Sequence, residues 1–151
     1  MAVKEQLVNR LDESLSSGWH GPSLYKLVED LSFEEASARP LSHRHTIWEI
    51  LNHIVFWMDM VSQVLNEREH PKIGELDDWP KMGSTEEEWL RVGGDLKVSH
   101  ENLKETILRF EKSLSDNILP DDFTYEWMLQ GLCNHNLYHT GQVILLRTTN
   151  P

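Results

Sequence analysis

Apolar residues recur at helical spacing in four long stretches of this 151-residue chain, and this periodicity restricts the fold more than any other feature. Within each stretch they return every three or four residues, which places them on one face of an α-helix. The alternation typical of a half-buried β-strand is nowhere sustained for more than a few residues. The sequence therefore predicts an all-α protein.

Polar pairs at capping-box spacing predict where three of the helical segments begin. In such a pair a Ser or Thr at the N-cap accepts a backbone N–H, and a Glu three residues later accepts the N–H of the cap itself. The pairs are Ser32 with Glu35, Thr46 with Glu49, and Ser84 with Glu87. They predict a short helical turn after residue 32 and long helices over about residues 46–68 and 84–112.

The first and last stretches complete the helix pattern. The first begins near Val3, is interrupted over residues 18–22, which contain Gly and Pro, and resumes at Ser23. The last runs from about Thr124 to about Arg147. Four long helices in a chain of this size predict a four-helix bundle in a single domain, residues 1–151.

The connection between the second and third long helices is long enough to cross the bundle. Residues 70–83 contain two Pro and two Gly and are predicted to be a loop. About 13 extended residues reach roughly 43 to 47 Å, whereas a helix of about 23 residues is only about 35 Å long. The second and third long helices therefore need not be antiparallel neighbours.

Composition excludes several classes of partner. The chain has 14 Lys plus Arg against 25 Asp plus Glu, a formal charge of −11, and we expect neither nucleic acid nor an anionic membrane surface as a partner. Its single cysteine, Cys133, cannot form an intramolecular disulfide, which favours a reducing compartment. The N-terminus has no apolar stretch typical of a signal peptide, and we expect a cytoplasmic location.

His135 and His139 lie four residues apart on the last predicted helix, so both imidazoles project from one face about a turn apart. This spacing is typical of metal chelation. Zincins use the same spacing, but the Glu that follows their first histidine is Asn136 here. The sequence therefore disfavours peptidase chemistry. The alternative for the pair is two polar residues on a partly exposed helix face.

His53, on the second long helix, is the candidate third ligand. Only Glu49 and Asp59 are formally charged between residues 46 and 65, so much of this helix must be buried. Alone, His53 could be a hydrogen-bonded core histidine. Together with His135 and His139 it favours a shared divalent-metal site. Three imidazoles leave one position open, at which the metal could activate water or hold a thiolate.

Other polar residues are secondary candidates. His20 could reach the pocket, with an ordinary turn histidine as the alternative. Glu49, one turn before His53, could orient an imidazole, although its capping role needs no metal. Tyr138, Gln142 and Asn136 could serve in the same way, with surface placement as the alternative for each.

The remaining histidines and the cysteine are expected outside the metal-binding set. We interpret His43 and His45 as solvated loop residues, although they could flank the site mouth. His70 and His100 have polar neighbours in the sequence and are predicted to lie at the surface. Cys133 is two residues from His135, projects away from the paired histidines, and is predicted to be a small core residue.

Two segments carry a resemblance to a known family. They span residues 19–57 and 135–143, and their most specific parts read TIWEILNHI and HxxxHxGQ. The chain resembles the DinB/YfiT-like family of metalloproteins over nearly its whole length. The resemblance implies an up-down-down-up four-helix bundle, usually dimeric, with a zinc or nickel ion held by His53, His135 and His139.

Characterised relatives in this family include thiol-dependent S-transferases and isomerases that use bacillithiol, mycothiol or glutathione. Our leading hypothesis is therefore an enzyme in which the metal binds a low-molecular-weight thiol for transfer to a small electrophilic substrate, with the chain as a homodimer. A metal-dependent small-molecule hydrolase and a non-catalytic, stress-associated metal-binding protein are the alternatives.

Overall fold

The computed structural model describes residues 2–67, 77–118 and 122–149. Within these ranges the regular structure is helical, and the one β-bridge, between Asn117 and Thr124, stands outside any strand. The all-α prediction is confirmed. The helices are α1 (Val3–Ser16), α2 (Leu24–Asp30), α3 (Phe33–Ser37), α4 (Ile47–Glu67), α5 (Glu86–Arg109) and α6 (Tyr125–Thr149).

Two of the three predicted capping boxes are confirmed, at Ser32 and at Thr46. The third is wrong by one residue, because α5 is capped by Thr85 rather than Ser84. The Thr85 hydroxyl accepts the Glu88 N–H at 3.2 Å, and the Glu88 carboxylate accepts the Thr85 N–H at 3.0 Å. This register places Trp89, which is 5% exposed, at the fourth helical position and against the core.

The four long helices pack around one continuous apolar cluster. α4 lies against α5 and α6, and α1 lies against the same two helices. The short α2 lies against α1, α5 and α6, and the short α3 lies against α4 and α5. The up-down-down-up order and the single domain remain predictions, and residues 68–76 of the α4–α5 connection lie outside the described part. None of the described helices combines the length and apolarity needed to span a membrane.

Residues 77–83, which we call the strap, lie against α4. The Asn52 side-chain amide donates to the Lys81 carbonyl at 3.0 Å. At the end of the strap, a Cβ on Gly83 would lie 2.8 Å from Trp48 Cζ2, closer than side-chain packing allows. Gly83 therefore permits the backbone to approach α4, and the strap passes over the part of α4 that carries His53.

Candidate metal centre

The structure brings His53 of α4 together with His135 and His139 of α6. Their ring centroids are 4.3 to 4.9 Å apart, and one potential ligand atom from each ring lies within 4.8 Å of the other two. His53 and His139 are each 4% exposed, and His135 is half-buried. In the described ranges these three, the triad, form the one cluster of His, Cys, Asp or Glu with this geometry.

Hydrogen bonds settle the tautomers of two triad histidines. His53 Nδ1 lies 2.5 Å from the carbonyl oxygen of Asp78, which can only accept, so this nitrogen carries the proton. His139 Nδ1 donates in the same way to Gln142 Oε1 at 2.7 Å. Each neutral ring then presents an unprotonated Nε2. An imidazole nitrogen in that state is a metal ligand.

His135 differs from its two partners. Its Nε2 lies 3.0 Å from His53 Nε2, while its buried Nδ1 has no hydrogen-bond partner. Two unprotonated nitrogens at that distance repel each other. In the absence of a cation, the His135 proton must therefore lie on Nε2, and Nδ1 is a buried acceptor without a donor, which is costly.

Burial keeps the triad neutral. It lowers the pKa of His135 to about 3, and the neighbouring His139 and His53 add to the effect. Burial also lowers the pKa values of His53 and His139, against the opposing hydrogen bonds to Asp78 and Gln142 respectively. Neutral imidazoles are the protonation state that metal ligation requires.

The residues present fit a divalent metal ion. Tetrahedral zinc with Zn–N bonds of about 2.0 to 2.1 Å holds its nitrogen ligands roughly 3.3 Å apart. The 3.0 Å contact between His53 and His135 is near that value, whereas the ligand atoms of the full set, which lie within 4.8 Å of one another, would have to approach by up to about 1.5 Å. A cation between the rings would also remove the repulsion between their unprotonated nitrogens. Imidazole ligands suit both zinc and nickel.

Aromatic side chains surround the triad on the α4 side. The Trp79 indole stacks on His53 with ring centroids 3.8 Å apart and planes inclined by 7°. The opposite face of Trp79 stacks on His45 at 3.7 Å and 4°. Trp57 meets both His53 and His135 edge-on, at 6.3 and 6.2 Å. On this side, two indoles line the centre beside the Asp78 carboxylate, whose Oδ2 lies 3.8 Å from His53 Nδ1.

A family comparison agrees with this site. The model of the DinB superfamily matches residues 19–143, which include all three triad histidines and the strap. The chain belongs to the DinB superfamily. A search of curated proteins and a search of solved structures found no match to it.

The secondary candidates of this DinB-superfamily chain separate into those at the triad and those away from it. Gln142 lies at the triad, where it accepts from His139 and donates through Nε2 to the Tyr138 hydroxyl at 2.9 Å. Tyr138 is 64% exposed and meets His139 edge-on. Glu49 instead accepts from Thr46 and Arg39 at the start of α4, so its capping role is confirmed, and the Asp78 carbonyl orients His53.

Two further candidates, one in the turn between α1 and α2 and one on α6, lie away from the face of α6 that carries His135 and His139. His20 is exposed and lines a cleft with Leu137 and Thr140 of α6. Asn136 is fully buried, not at the surface, and its Nδ2 donates to Ser14 of α1 at 3.3 Å. The place of Asn136 follows from helix geometry, since residue 136 does not share the α6 face of residues 135 and 139. The prediction that Cys133 is a buried core residue is confirmed.

Of the loop histidines, His43 is exposed, as predicted. His45 is also exposed but contacts the site, because its stack on Trp79 places it at the outer side of the indole wall. His70 lies outside the described residues. Asp78 and Trp79 were not predicted, since no residue spacing indicates which loop side chains fold back on a helix. An aromatic residue inside a polar, Pro-containing loop is the available signal.

The prediction that His100 lies at the surface is wrong. It is 2% exposed, and its Nδ1 is hydrogen-bonded to the Tyr25 hydroxyl. Its Nε2 lies 3.0 Å from Asp12 Oδ1, which also pairs with Lys104 Nζ at 3.0 Å. Polar neighbours in the sequence misled the prediction because Ser99 and His100 face inward while Glu101 and Asn102 face solvent.

Proposed function

We propose that this protein is a metal-dependent S-transferase in which the triad holds a divalent ion and a low-molecular-weight thiol is the cosubstrate. The observation that carries the proposal is the convergence of three neutral imidazoles, two buried and one half-buried, whose potential ligand nitrogens lie within 4.8 Å of one another. An ion bound there would act as a Lewis acid and stabilise the thiol as thiolate. Membership of the DinB superfamily supports the same assignment.

The chain's own residues would fix and shield this centre. The Asp78 carbonyl and the Gln142 amide hold His53 and His139 with Nε2 directed at the centre. Trp57 and Trp79, which contact His53 on the α4 side, would limit the access of water there. An apolar wall beside an electrophile-binding position favours small substrates with aromatic or aliphatic bodies over charged ones.

The thiol has to come from outside the chain. Cys133 is the one cysteine in the sequence, it is 4% exposed, and burial raises the pKa of its thiol to about 11. A thiol in that state is a poor nucleophile. In the proposed transfer, the external sulfur forms a bond to the electrophilic carbon and the leaving group departs with its electron pair. The thiol proton passes to solvent.

A conjugation assay tests the proposal. The zinc- or nickel-loaded protein is mixed with an aryl halide and a thiol, which is bacillithiol in one reaction and glutathione in another. The release of halide is followed. We expect turnover that needs both thiol and metal and that is lost in His139→Ala. Transfer rates unchanged by both metal removal and His139→Ala would contradict it. Turnover of activated esters without any thiol would instead assign a hydrolase.

A homodimer with up-down-down-up helix order belongs to the same proposal, because the family resemblance implies both. One further observation supports the dimer. Trp127, Tyr138 and Leu145 are each more than half exposed, and their spacing places them on one face of α6. Light scattering is expected to give twice the 17.7 kDa mass of the chain, and Trp127→Glu is expected to lower it.

A further inference from the structure

We propose that Asp78 and Trp79 are positioning residues for the triad, and that docking of the strap and binding of metal stabilise each other. The inference rests on the metal site of the proposed function but not on thiol transfer. The strap contacts His53 through the main-chain carbonyl and the carboxylate of Asp78 and through the indole face of Trp79. The orientation of the His53 ring is therefore set by a loop as well as by its own helix.

The main chain of Asp78 sets the tautomer of His53. Its carbonyl accepts from Nδ1 at 2.5 Å, which leaves Nε2 unprotonated. The Asp78 side chain secures this carbonyl in place, since Oδ2 accepts the Trp57 indole N–H at 3.2 Å and lies 3.8 Å from His53 Nδ1. Partners of this kind on the outer nitrogen of a ligand histidine commonly change metal affinity by about 10- to 100-fold.

The Trp79 indole fixes the plane of the His53 ring. It lies parallel to that ring at 3.8 Å, and His45 supports its other face at 3.7 Å. Rotation of His53 out of this plane would move Nε2 away from His135. The stack therefore removes one rotational freedom that metal binding would otherwise have to restrict.

The strap also has an anchor that does not involve His53. The Asn52 amide donates to the Lys81 carbonyl at 3.0 Å, from a side chain that is partly exposed. If metal binding favours the docked strap, then by reciprocity the docked strap favours metal binding by the same factor. Loosening the strap at Asn52 should consequently weaken metal binding at a distance.

Zinc affinity, measured by competition with a chromophoric chelator, tests this linkage. We expect Trp79→Ala to weaken zinc binding about tenfold, and Asn52→Ala to weaken it by a smaller factor. Trp79→Phe keeps an aromatic face and is expected to stay close to wild type. Trp19→Ala is the matched control, because Trp19 is 87% exposed and contacts no triad residue in the described structure.

Hydrogen exchange of the strap amides gives the reciprocal measurement. Zinc is expected to slow their exchange in wild type and to leave it unchanged in His139→Ala. Wild-type zinc affinity in both Trp79→Ala and Asn52→Ala, with circular dichroism showing folded proteins, would overturn the proposal. Zinc binding without thiol transfer would remove the transferase alone, whereas a wild-type chain that binds no zinc would overturn both.

Discussion

Two buried histidine clusters lie in the same bundle, and they differ in what surrounds the imidazole. His100 lies between a phenol and a carboxylate, with the Lys104 ammonium on the same carboxylate. Its Nδ1 has a hydrogen-bond partner, and its Nε2, although without hydrogen-bond geometry, lies at ion-pair distance from the Asp12 carboxylate, so both ring nitrogens face a protein group. The triad places three imidazoles against one another with no acid between them, and it leaves His135 Nδ1 unpartnered.

The comparison shows that burial of a histidine does not by itself indicate a site. Around His100, the Asp12 carboxylate supplies the negative charge that an imidazole can share, so the cluster joins α1, α2 and α5 as a structural contact. Around His53, the potential ligand nitrogens of three rings converge on a common centre that could hold a cation. The following predictions test this distinction, in order of decreasing expected effect.

The largest effect is expected from removing a triad histidine. His53→Ala and His139→Ala should each weaken zinc binding by at least about a hundredfold, more than the loss of an outer partner causes. Isothermal titration with zinc measures this. His100→Ala is the comparison variant and should bind zinc as wild type does. An equal loss in His100→Ala would break the distinction between the clusters.

A smaller loss is expected at Gln142. Gln142→Ala removes the acceptor that holds His139 in its Nδ1–H tautomer, and zinc affinity should fall about tenfold. Gln142→Glu keeps an acceptor at that position and should retain most of the affinity. Chelator competition on the three proteins measures both changes. Equal affinity in all three would show that His139 needs no outer partner.

In the metal-free protein, the free energy of unfolding should depend more on His100 than on His135 of the triad. His100→Ala leaves the Tyr25 hydroxyl without its hydrogen-bond partner and Asp12 with Lys104 alone, and we expect the free energy of unfolding to fall by about 1 to 3 kcal/mol. In metal-free protein, His135→Ala should cost less, because it removes a buried nitrogen that already lacks a partner. Urea unfolding of the two variants with chelator present compares them. A larger cost at His135 would contradict the assignment.

The smallest effect is a pH dependence of stability from His100. Burial lowers the pKa of His100, Lys104 adds to this, and Asp12 and Glu101 oppose it. The folded-state pKa then lies below the unfolded value near 6.5, so the unfolded chain binds more protons as the pH falls. The contribution of His100 to the free energy of unfolding is present in full above about pH 6.5. It is lost as the pH falls through the folded-state pKa, at up to about 1.4 kcal/mol per pH unit.

This slope is measured by urea unfolding of metal-free wild type and His100→Gln between pH 7 and 5. The triad histidines also have lowered pKa values and contribute with the same sign in both proteins. The difference between the two slopes therefore isolates His100. A steeper loss of stability in His100→Gln would contradict the predicted direction.

The sequence predicted the helices and the triad because both depend on regular spacing. His135 and His139 share a helix face by geometry, and the low charge of the two helices placed His53 inside. Asp78 and Trp79 could not be predicted in this way, because the path of a loop depends on tertiary contacts. His100 was misplaced for a related reason, since its partner Asp12 is 88 residues away in the sequence.

The most direct test of the metal centre is X-ray absorption spectroscopy of the zinc-loaded, untagged protein. We predict about three imidazole nitrogens at roughly 2.0 to 2.1 Å, and fewer in His135→Ala. A spectrum without imidazole scattering, or one that is identical in wild type and His135→Ala, would contradict the assignment of His53, His135 and His139 as ligands.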